Sequence, residues 1–117
     1  MTAPHIHTAI PQRRYQLGSF LVNILSDIKT DDPTDYCYIM ALIDEGAQQP
    51  CLYVTAEVNP PAQRQQGRYR IRVVLDEQEK EMGSADEWGD IENFSIFSMG
   101  IAAKLYQLSD EEPKRLV

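Results

Sequence analysis

His5 and His7 are the only histidines in the 117-residue chain, and they stand one residue apart near its start. In an extended segment, residues i and i+2 point to the same side, so both imidazoles could reach one metal ion. A structural or catalytic centre needs a third ligand, and the sequence designates none. Cys37, Cys51 or a loop aspartate would serve only if this segment docked beside it. The pair is therefore read first as part of an exposed tail, with metal binding by the His-x-His as an alternative and no cofactor expected.

A second group lies in "RYRIRVVL", where Arg68, Arg70 and Arg72 alternate with Tyr69, Ile71 and Val73. Period-2 alternation makes this a strand with arginines on one face. A matching register in "CLYVTAEV" turns Leu52, Val54, Ala56 and Val58 inward and Tyr53, Thr55 and Glu57 outward among the arginines. Glu57 opposite Arg70 is then a cross-strand ion pair. A basic face with Tyr53 and Tyr69 nearby could bind single-stranded nucleic acid through phosphate contacts and stacking, although Tyr69 points inward in this register. The charge balance opposes that use. Net charge is −7, and the four arginines of residues 60–75 lie between seven acids in residues 27–59 and eleven in residues 76–117. A solvated edge strand, protected from aggregation by its charges, is the preferred reading.

The two thiols carry less. A turn centred on Gly46 and Ala47 puts Cys37 opposite about Glu57 and Cys51 opposite Leu42, too far apart for the roughly 7 Å Cα limit of a disulfide. Both are read as reduced structural cysteines, in keeping with a cytoplasmic protein. No serine–histidine–carboxylate set, phosphate-binding glycine loop or metalloprotease helix is present. Carboxylate runs such as "DDPTD" and "DEQEKE" read as solvated loops. The sequence therefore points away from an enzyme.

Strands must position these groups. Alternation and turn residues give strand one over residues 13–28, strand two over 36–43, strand three over 51–58 and strand four over 68–75, with a short fifth around "KEM". Strand one has Phe20, Val22, Ile24 and Ile28 on one face and Tyr15, Leu17, Leu21 and Leu25 on the other. Strand two is likewise apolar on both sides. After "SADE", Ser84 to Glu87, which has the spacing of a capping box, the period becomes helical. Ile91, Phe94, Phe97, Ile101, Leu105 and Leu108 form the stripe expected to cover the sheet. Trp88, Ile96, Met99, Ala103 and Tyr106 form a second apolar arc. The expected fold is α+β: a four- or five-stranded antiparallel β-meander packed against one long C-terminal helix. Within a single domain, 1–117, residues 1–11 are an extended arm, 12–83 the sheet, 84–108 the helix and 109–117 a tail.

One helix cannot cover two greasy sheet faces in a chain of this length. Exposing about three large apolar side chains per strand, at roughly 1.5 to 3 kcal/mol each, would exceed a domain's usual net stability. The expected partner is a second copy of the chain, through the outer sheet face, the wide helix or both, with Leu17, Leu21, Tyr38, Met40, Trp88, Ile96, Met99 and Tyr106 as interface candidates. No apolar run reaches membrane-span length. In composition the chain is similar to small acidic dimeric secretion chaperones, without their leading helix. The expected function is a non-catalytic interaction module whose partner is a second copy of the chain, with another protein as the alternative.

Overall fold

The computed structural model describes residues 3–76 and 78–116. Its strands are β1 (Ile6–Leu17), β2 (Phe20–Thr30), β3 (Tyr36–Asp44), β4 (Leu52–Val58), β5 (Tyr69–Leu75), β6 (Gln78–Ala85) and β7 (Lys114–Arg115), and α1 (Ile91–Leu105) is its α-helix. All seven strands lie in one antiparallel sheet of order β6-β5-β4-β3-β2-β1-β7. The expected four- or five-stranded meander under a long helix is thus corrected to a seven-stranded sheet with a helix of 15 residues.

The largest departure is at residues 13–28. This stretch is a tight hairpin, with Leu17 paired to Phe20 and Tyr15 to Val22. Gly18 at φ +59 occupies the first of the two turn positions, the place where a type II′ turn demands glycine. The reversal changes face parity. Tyr15 and Leu17 come to the same side as Phe20, Val22 and Ile24, and all five are buried in one cluster. Much of the second greasy face expected of strand one therefore lies in the helix-backed core. β1 also takes in Ile6 to Pro11, expected as an arm, and β7 draws part of the tail to the sheet by pairing with Tyr15 and Gln16.

At the other end, "KEM" is the middle of an eight-residue strand, β6. Ser84 belongs to β6, opposite Arg70, and does not cap a helix. A single 3-10 turn, Asp86–Gly89, follows, and α1 begins after Asp90, whose carboxylate accepts from the Asn93 N–H at 3.0 Å. Gly89 has a steric role there, because a Cβ on it would stand 2.5 Å from the Tyr69 ring.

α1 is also rotated from its expected setting. Its buried residues are Phe94, Ser95, Ser98, Met99 and Ala102, whereas Leu105 of the expected stripe is 46% exposed and Ile96 61%. Small side chains explain this: serine and alanine let the helix axis approach the sheet, where leucines would hold it away. The buried hydroxyls are satisfied locally, Ser95 Oγ donating to the Ile91 carbonyl at 2.6 Å and Ser98 Oγ to the Ser95 carbonyl at 3.2 Å. Phe94 fills the centre of the core and stacks on Tyr38 with ring centroids 5.6 Å apart.

Candidate functional site

The register expected between β4 and β5 is the one observed. Glu57 faces Arg70, and Thr55 faces Arg72. Although it stands on the sheet face opposite α1, Glu57 is only 2% exposed. Arg70 Nε donates to its Oε1 at 2.9 Å, and the Thr55 hydroxyl donates to Oε2 at 2.7 Å. Arg72 Nε lies 3.3 Å from Oε2 without hydrogen-bond alignment, while its Nη1 donates to Glu79 at 3.0 Å. Glu81 stands 3.9 Å from Arg70. Both guanidiniums are thus held by carboxylates of the same face, so that little net positive charge is offered outward.

The other residues of that expected site are scattered. Tyr53 shares the outer face, half-buried, and burial pushes its phenol pKa up. Tyr69 points to the opposite face, over Gly89. Arg68 precedes β5 and is anchored through its backbone N–H to Asp86 at 2.8 Å. The sequence reading placed Thr55 on this face, though not as a donor to Glu57, and missed Glu79 and Glu81. Glu79 and Glu81 could have been found by extending the hairpin register past Leu75.

His5 and His7 are placed against different partners. His5 Nδ1 lies 3.4 Å from Asp32, and His7 Nε2 lies 2.7 Å from Asp31. Among the described residues no group of three or more histidine, cysteine, aspartate or glutamate side chains converges as a metal site. Cys37 and Cys51 are unbridged. Burial, with a smaller contribution from Asp35, raises the Cys37 thiol pKa.

A cleft of about 420 Å³ with a mixed polar and apolar lining opens where β4 ends, walled by Pro33, Asp35, Asn59, Pro61, Arg64 and Arg70 among others. Asn59 is buried, its amide donating to the Gly67 carbonyl and to Ser84, while its Oδ1 has no hydrogen-bond partner among the described residues. Arg70 is paired with Glu57, and Arg64 Nε donates to the Asn59 carbonyl at 3.3 Å, with Asp35 on the same wall.

The apolar surface is elsewhere. Of the expected interface residues, Leu17, Met40 and Met99 lie in the chain's own core. Tyr38 stacks on Phe94, Trp88 packs on Phe97 with centroids 4.3 Å apart, and Tyr106 packs on Phe20 at 5.0 Å. Leu21, at 41%, and Ile96 remain exposed. Two grooves lie between α1 and β6, of about 280 and 330 Å³, sharing Met82, Ile101 and Leu105. A third, of about 240 Å³, borders the other flank of α1 and is lined by Leu17, Met99, Ala103 and Leu108 among others. Ile96 and Gly100 border a groove on each side.

Comparison of the chain with known protein families, curated proteins and solved structures finds no match. No helix among the described residues is long and apolar enough to cross a membrane.

Proposed function

We propose that the chain is a small acidic, non-catalytic interaction module that acts in the cytoplasm as a homodimer. One observation carries the reading: α1 buries Ser95 and Ser98 fully while leaving Ile96 at 61% and Leu105 at 46% exposure. A helix with a single packing partner puts its large apolar residues inward. Here they stand with Met82 around open grooves, an arrangement suited to a second protein surface. The two unbridged cysteines fit a reducing compartment. A second copy is favoured as the partner because the groove rims carry Lys80 and Lys104 on a chain of net charge −7, so the complementary charge is present on the chain itself; Glu79, also on the rim, is engaged by Arg72.

Sedimentation velocity from roughly 1 to 100 μM tests the reading, with a dimer expected in the upper part of that range. A monomer throughout removes the homodimer. Single-strand nucleic-acid binding through Arg70 and Arg72 is the lesser reading, because Glu57, Glu79 and Glu81 engage both guanidiniums. Retention of a labelled oligonucleotide on a filter at low salt, lost at high salt, would reverse that preference.

A further inference from the structure

We infer that the second copy docks antiparallel along one ridge of α1, formed by Glu92, Ile96, Gly100 and Lys104; this rests on the homodimer reading above. Residues four apart stack along a helix surface, and all four of these are solvent-exposed. The ridge reads acid, apolar knob, hollow, base. Turned end for end about a two-fold axis at the level of Ser98, it becomes its own complement, with Glu92 meeting Lys104 of the other copy and Ile96 meeting Gly100. A parallel arrangement would set Glu92 against Glu92 and knob against knob.

Each position is prepared for that contact. Ile96 is the most exposed large apolar residue described. A Cβ built on Gly100 meets nothing within 4 Å, so the glycine leaves a hollow, with no need of its own fold to explain it. Lys104 forms no ion pair within the chain among the described residues. Glu92 is 57% exposed and engages Arg13 through Oε2, leaving Oε1 for a lysine from outside. The grooves flanking Ile96 and Gly100 give the neighbouring ridges of the other helix somewhere to enter, as packing of i±4 ridges requires.

Gly100→Gln separates interface from fold. It fills the hollow while raising helix propensity, so thermal stability of the monomer should hold or rise while the dimer is lost. Lys104→Glu should weaken association roughly tenfold by setting acid against acid. Mixing it with Glu92→Lys should yield a heterodimer tighter than either variant alone, since both cross-copy pairs are then opposite in sign. A dimeric parent whose Gly100→Gln form is equally dimeric, or a mixture that gains nothing, overturns this interface and leaves the homodimer reading standing. A monomeric parent at about 100 μM removes both.

Discussion

Glu57 shows how one residue's neighbours set its effect on stability. A carboxylate at 2% exposure is tolerated because Thr55 and Arg70 hydrogen-bond it and Arg72 stands beside it. Glu57→Ala takes from Arg70 its hydrogen-bonded carboxylate while Arg72 keeps Glu79, and urea denaturation should show a loss of about 2 to 3 kcal/mol. Combined with Arg70→Ala the loss should fall short of the sum, because the pair is removed together. The tyrosines give a pH signature. Tyr36 is raised above its ordinary 10.0 chiefly by burial and then by its bond to Asp32; Tyr106 is raised by burial and then by Cys51. The unfolded phenols therefore lose protons first, so the tyrosines' contribution to stability should be constant below pH about 10 and fall as pH rises beyond it. Urea midpoints from pH 8 to 11 check the sign, and Tyr36→Phe should flatten part of the decline. Cys37, its pKa also raised by burial, should alkylate more slowly at pH about 8 than a free thiol, since the thiolate is the nucleophile.

Among the elements, the hairpin at Gly18 and the rotation of α1 decide what faces what. Gly18→Ala places a side chain at φ +59 with its Cβ 3.2 Å from Leu108, and a thermal melt should register about 1 to 2 kcal/mol of destabilisation. The rotation predicts an inversion of the usual hydrophobic rule. Ser98→Leu makes the helix greasier yet overpacks a fully buried site and should cost about 1 to 3 kcal/mol, whereas Ile96→Ser should change monomer stability by less than about 0.5 kcal/mol. Chemical denaturation under conditions where the chain is monomeric measures both. Much at this scale was legible. The β4–β5 register followed from alternation alone, and so did the Glu57–Arg70 pair. The reversal at residues 18 and 19 was marked by a Gly-Ser pair between apolar runs, but the unbroken apolar sequence around it also fitted one long strand. Ser84 fitted a capping box because spacing by itself does not tell a cap from an edge strand.

For the molecule as a whole, the sheet has a well-covered face and a mixed one. Ile39, Ala41 and Val74 are buried on the face away from α1, beside the Glu57 network, while Leu21 is exposed there. The reversal at Gly18 reduces the apolar surface that a partner must cover on that side, and the exposed apolar side chains Met82, Ile96 and Leu105 lie instead along the α1–β6 flank. Leu21→Lys should accordingly leave association unchanged in sedimentation, whereas Ile96→Lys should disrupt it.

What the sequence determined by itself was local: which stretches alternate, which turn, where charges pair across neighbouring strands, and that a helix follows the sheet. These depend on contacts between near neighbours, whose geometry is fixed by backbone periodicity. Only the tertiary structure decided the parity of β1 against β2 and which side of α1 is buried. Face parity depends on where the chain reverses. The helix setting depends on how closely two surfaces can approach, which Ser95, Ser98 and Ala102 control through their small size, although a hydrophobicity pattern ranks them below the isoleucine and leucine left outside.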